Sequence, residues 1–146
     1  MKKTWVQRTL TIIAFFLFTA FVCEARAEEC LFYEPTKVRL TGVITRQTFP
    51  GPPNYESIEK GDEPETYWIL KLEKPVCING NPKDELNDET VKDIKNIHLV
   101  FHGDEYTRYR GLVSKKVVAS GTLFHAQTAH HRTKVLMNVD GLRQVE

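Results

Sequence analysis

Hydrophobic and polar positions alternate along most of the chain after residue 36. From Lys37 to Phe49, Val38, Leu40 and Ile44 share one side while Arg39, Thr41 and Thr45 share the other. Gly42 interrupts the run, as a bulge or a bend in a closed sheet does. Thr66 to Glu73 repeats the pattern, with Trp68, Leu70 and Leu72 opposed to Lys71 and Glu73. Ile97, Leu99 and Phe101 share a face of a third strand. Val117 to Ala126 is a fourth, broken by Gly121, and Lys134 to Leu142 a fifth, carrying Val135, Met137 and Val139 together. A period of two throughout predicts an all-β protein.

Two segments depart from that period. DEYTRYRGLVSKK, starting at Asp104, has a capping aspartate, Tyr106, Tyr109 and Val113 near one side, and Gly111 to limit its length, which predicts a short helix. Residues 79–93, NGNPKDELNDETVKD, hold two lysines against five acids and almost nothing apolar, and read as a solvated loop. Their spacing lacks the calcium-loop pattern. Three strands, a short helix and two more strands is the order of an OB-like fold, a small five-stranded Greek-key barrel.

That order gives the loops their meaning. In an OB-like barrel the ligand face is flanked by the loop joining the first two strands and the loop joining the last two. Here the first contains FPGPPNYESIEKGDEPE and the second AQTAHHRT, and both are expected at one rim. Prolines reduce the entropy lost when a loop is held in one shape, so the first loop is suited to present its side chains preorganised. Loops 49–58 and 126–133 thus form the expected recognition surface, with Asn54, Tyr55, Glu56, Thr128, His130, His131 and Arg132 as ligand-binding candidates. The plainer reading makes Phe49 and Tyr55 a plug over the barrel mouth. Tyr67 and Trp68, adjacent on one strand, face opposite ways, so one belongs to the core and the other lies exposed or under the loop.

The start of the chain changes the picture of where the protein works. Lys2, Lys3 and Arg8 precede the apolar run Leu10 to Val22 and the small-x-small site Ala25-Arg26-Ala27, the layout of a secretory signal peptide over residues 1–27. The run is shorter than the roughly 20 residues that span a bilayer, so no stable membrane anchor is expected after cleavage. Residues 28–146 are then one domain, periplasmic or secreted, with 16 Lys and Arg against 18 Asp and Glu. Near-neutral charge gives no general attraction to nucleic acid. Cys23 leaves with the leader, and the remaining pair, Cys30 and Cys77, is expected to form a disulfide in an oxidising compartment. Closing that loop stabilises a fold by about 4 kcal/mol on the chain-entropy model.

All five histidines follow residue 97. On a strand, His98 and His102 lie roughly 13 Å apart, too far to share an ion, and read as surface residues. His125, His130 and His131 are the alternative: a set for a divalent transition metal, in a metal-binding protein or a metal-dependent hydrolase. No cofactor is otherwise implied. The catalytic fingerprints G-x-S-x-G, H-E-x-x-H and the phosphate-binding glycine loops are missing, and no catalytic residue is assigned. Glu56 beside His130 or His131 is the nearest thing to an acid–base pair.

At FPGPPNYESI, ETYWILKLEKPVC and SGTLFHAQTAHHRTKVLM the chain resembles an uncharacterised family of secreted bacterial proteins known as a domain of unknown function. The resemblance runs from about Tyr33 onward and rests on the pairing of a proline-rich NYES with T-x-H-H. It implies a bacterial source and export, and brings no activity with it. Arg132 stands where histidine is expected in many relatives, which weakens a three-histidine metal site. The expectation is a non-catalytic binding module whose partner is a protein or a cell-envelope glycan.

Overall fold

The structure is a computed structural model that describes residues 29–146; the leader reading lies outside the described residues. Its strands are β1 (Leu31–Phe32), β2 (Lys37–Pro50), β3 (Pro64–Asn79), β4 (Val91–Val100), β5 (Lys116–His125) and β6 (Val135–Gln144), with helix α1 (Glu105–Tyr109) between β4 and β5. β2 pairs antiparallel with β5 over residues 37–43 and with β3 over 42–50. β3 continues to β4, β4 runs parallel to β6, and β6 returns antiparallel to β5. The pairings therefore close a ring of five strands, and the all-β class and order of elements expected from the sequence are those observed. A sixth strand was not foreseen: β1 adds in parallel to the far end of β3, with Leu31 opposite Ile78. The Cys30–Cys77 disulfide, with Cα atoms 4.7 Å apart, fastens it there.

Gly42 sits where β2 passes from one partner to the other. A Cβ there would lie 2.3 Å from the Lys71 carbonyl oxygen, so the strands approach too closely for any side chain. The bend is a close contact, not a bulge, because the β2–β5 register runs through it unbroken and the β2–β3 register starts at it. Gly121 does mark a bulge, in the β5–β6 ladder, where a Cβ would meet the Asn138 carbonyl oxygen at 2.0 Å.

Inside the ring, Ile44, Leu70, Ile97, Leu99, Leu123 and Met137 are fully buried. Trp68 closes one end against Phe101 and Tyr106, with ring centroids 5.2 and 5.5 Å away, so α1 serves as a lid made of aromatic rings. Asp104 does not cap the helix with its side chain but pairs with Arg108 one turn on. The acidic segment is less solvated than expected. β4 already begins at Val91, and Asn87 is buried, accepting a hydrogen bond from the His125 N–H at 2.8 Å and donating to Asp84.

A second buried layer lies on the outside of the ring. Ile69 pairs across the ladder with His98, His98 with Leu136, and Leu136 with Phe124. Ile69 and Leu136 are fully buried, yet both alternate with residues of the interior. The connections β2–β3 and β5–β6 fold over this row, and that position puts the candidate site where it is.

Candidate functional site

The β2–β3 ladder ends with Pro50 opposite Pro64, leaving residues 51–63 as the connection. Asp62 organises it. Its buried carboxylate accepts from the N–H and side-chain amide of Asn54 at 2.9 and 3.2 Å, and from the N–H groups of Glu56 and Ser57 at 2.7 and 2.8 Å. Those donors, Ser57 foremost, hold Asp62 below the usual carboxylate range. Charge-assisted hydrogen bonds of this kind are the strong ones, and they make the loop a single shape. Asn54 and Glu56 are consumed in that work through Asn54's amide and both backbones; the Glu56 side chain stays exposed.

The same framework holds Tyr55 in the left-handed region, at φ 61°. A non-glycine residue pays for this conformation with roughly 1 kcal/mol or more, and such outliers gather at functional sites. The result is that the Tyr55 hydroxyl meets His130 Nε2 at 2.9 Å, with the rings edge to face at 5.1 Å. The two loops therefore share one rim.

Beneath that contact sits Arg132. Its guanidinium donates to Glu65 Oε2 at 2.7 Å and lies 5.1, 5.4 and 5.5 Å from the ring centres of Tyr67, Tyr55 and Phe49. The side chain is only 7% exposed. Cation–π contact strengthens as the cation loses water, so three rings and a carboxylate offset part of what burial removes, while the buried Nε has no hydrogen-bond partner among the described residues. Glu65 also accepts from the Tyr67 hydroxyl at 2.7 Å and lies 3.4 Å from His130 Nδ1. Tyr67 above all, then Arg132 and His130, keep the Glu65 carboxyl below its ordinary range. Burial and Glu65 raise Tyr67 above a free phenol.

His98 corrects the sequence reading most sharply. It is not a surface residue but 4% exposed, with Nδ1 accepting from the Arg132 N–H at 3.4 Å and its ring edge to face with Tyr67 at 4.7 Å. Burial first, then the charges of His131 and Arg132, push it down to about 4, so it is neutral at pH 7. Uncharged imidazole is what such a site can hold.

Of the seven ligand-binding candidates, Tyr55, His130 and Arg132 come together. Thr128 and His131 are neighbours in the second loop whose bonds stay inside it. His131 Nδ1 accepts from the Gln127 and Thr128 N–H groups at 2.7 and 3.4 Å, and its ring packs on Phe124 at 5.6 Å. The three histidines of the metal alternative are not brought together. His125 faces Glu89 at 3.4 Å and Tyr33 edge to face at 6.3 Å, while His130 faces Tyr55 and His131 its own loop. Among the described residues no group of three or more His, Cys, Asp or Glu side chains is placed to hold a metal ion.

Residues 96–144 match the family model DUF4431, a domain of unknown function. The matched stretch runs from within β4 to the last residue of β6 and so holds His98, His130 and Arg132. It leaves out the loop that carries Tyr55 and Asp62. No curated protein matches the chain.

Asp62, Glu65 and His98 are the parts of the site that sequence reasoning missed. A signal for the covered layer was present: Trp68-Ile69-Leu70 and Val135-Leu136-Met137 are unbroken apolar runs, the mark of strands buried on both faces. Asp62 and Glu65 carry no such signal.

Proposed function

We propose that the protein is an exported, non-catalytic binding module that takes its ligand on the rim shared by loops 49–58 and 126–133. The observation that carries this reading is the Tyr55–His130 contact at 2.9 Å, made by two loops from opposite ends of the domain's sequence and backed by a buried arginine. The rim is prearranged, so little ordering entropy is lost on binding. It offers a tyrosine, a half-exposed imidazole and, at the outside, the Glu56 carboxylate. Tyrosine-centred patches surrounded by polar groups suit protein surfaces, so a protein partner is the favoured ligand and a cell-envelope glycan the alternative.

The test compares retention of the protein by immobilised envelope proteins and by insoluble cell-wall glycan. Tyr55→Ala together with His130→Ala should abolish retention on one support while the fold persists. Retention by neither, or retention unchanged by the double substitution, contradicts the reading.

One observation favours a second reading. Glu65, His130 and Tyr55 lie in line, in the relation of an orienting carboxylate, a base and a hydroxyl. That line would serve acid–base chemistry on a bound substrate, and hydrolysis of activated aryl esters lost in Tyr55→Phe would support it. The metal-dependent alternative is not favoured, because the donors of His125, His130 and His131 are aimed at separate neighbours.

A further inference from the structure

A different face of the ring carries a feature that the rim does not use. Arg39 of β2 lies opposite Ser120 of β5, and Ser120 opposite Gly141 of β6. One step along the same face, Thr41 lies opposite Val118 and Val118 opposite Arg143. Arg39 and Arg143 thus stand diagonally across β5, with Cα atoms on the order of 12 Å apart from strand spacing and rise. Between them runs a groove of about 280 Å³, floored by Val118, Ser120 and Gly141.

Three properties make this more than two exposed cations. The lysines that frame the face are answered by acids, Lys37 by Asp140 at 2.5 Å and Lys116 by Glu73 at 2.6 Å. Neither the Arg39 nor the Arg143 side chain has a hydrogen-bond or ion-pair partner among the described residues. Gly141 borders the bulge of the β5–β6 ladder, where Ser120 and Gly121 face residues 139–141, and a Cβ there would meet only the Ser120 and Tyr109 hydroxyl oxygens, at 3.6 and 4.0 Å, so its bare backbone is open to the groove. A glycine at a bulge leaves the strand without a side chain there, and a ligand can approach the backbone closely.

We propose that this groove binds a small ligand through an oxyanion, a phosphate or carboxylate group held between Arg39 and Arg143 over the bare backbone of Gly141. The planar fork of each guanidinium fits either anion with two parallel hydrogen bonds. The site is independent of the Tyr55–His130 rim.

Inorganic pyrophosphate and citrate, titrated separately into isotope-labelled protein at constant ionic strength, test it by amide chemical shifts. Saturable shifts at Ser120, Gly141 and Leu142 are expected with at least one probe, pyrophosphate binding tighter if the natural group is a phosphate and citrate if it is a carboxylate. Arg39→Ala and Arg143→Ala should each weaken binding about tenfold or more, the loss typical of one charged hydrogen-bonding partner. Arg39→Lys, which keeps charge but loses the fork, should fall between. Gly141→Val, which fills the floor and leaves both arginines, should remove binding. No saturable shift with either probe overturns the proposal, as does equal affinity in the Arg39→Ala/Arg143→Ala double variant.

Discussion

The inside of the ring and the layer covering its outer face are both buried, and they are built on different principles. The interior is filled by Ile44, Leu70, Ile97, Leu99, Leu123 and Met137, with no titratable group among them. The outer layer starts from Ile69 and Leu136 but is completed by His98, Tyr67, Glu65 and Arg132, each with a polar partner. Apolar burial is indifferent to direction and to pH. A polar layer is worth having only while its partners are in place, because an unpartnered buried group costs more than its bond contributed. The interior therefore stabilises the ring, whereas the outer layer specifies how two loops sit upon it.

That contrast is broken most forcefully from the inside. Ile97→Ala leaves a cavity where nothing can refill, and should cost about 2–5 kcal/mol in urea denaturation, equally at pH 7 and pH 5. Arg132→Met keeps the bulk of the outer layer but removes the charge that three rings and Glu65 surround. It should cost about 2–4 kcal/mol, from the charged hydrogen bond to Glu65 and the three ring contacts together. A loss below about 0.5 kcal/mol, the scale of an exposed pair, would mean the layer is not sealed.

Acid separates the two regions next. His98 is held down to about 4 in the folded protein, whereas an unfolded chain takes up its proton near the ordinary 6.5. The stability it supports is thus complete above about pH 6.5 and is lost as pH falls towards 4, up to about 3 kcal/mol by proton linkage. His131, also lowered by burial, acts in the same direction. Asp62 and Glu65, held below their usual range, carry the loss on as pH falls through the acid region. Denaturation midpoints measured between pH 7 and 4 should therefore decline, and His98→Gln should flatten the part above pH 4.

How much of this was written in the chain follows the same division. Alternation of Val38, Leu40 and Ile44 is local, so the strands and their inward faces could be read directly. The cysteine parity and the order of elements were equally plain, and from that order came the expectation that Tyr55 and His130 share a rim. The outer layer depends on residues distant in sequence. His98 looks like a surface residue in an alternating strand until Thr133, Arg132 and Tyr67 close over it. Nothing local distinguishes Asp62 from Glu63, or Glu65 from Glu59; only the folded loop decides which carboxylate gathers the donors. The unbroken Trp68-Ile69-Leu70 run was the local trace of that second covering.

The smallest expected effect bears most directly on the rim. Tyr55→Phe removes one half-exposed hydroxyl and should cost about 1 kcal/mol. On its own that figure does not say which partner was lost. A double-mutant cycle does: Tyr55→Phe, His130→Ala and the pair together, each followed by urea denaturation at pH 7.5. Two loops joined as one surface predict a coupling of about 0.5–1.5 kcal/mol between these positions. Losses that add to within about 0.3 kcal/mol would show that the loops do not meet, and would contradict the shared rim.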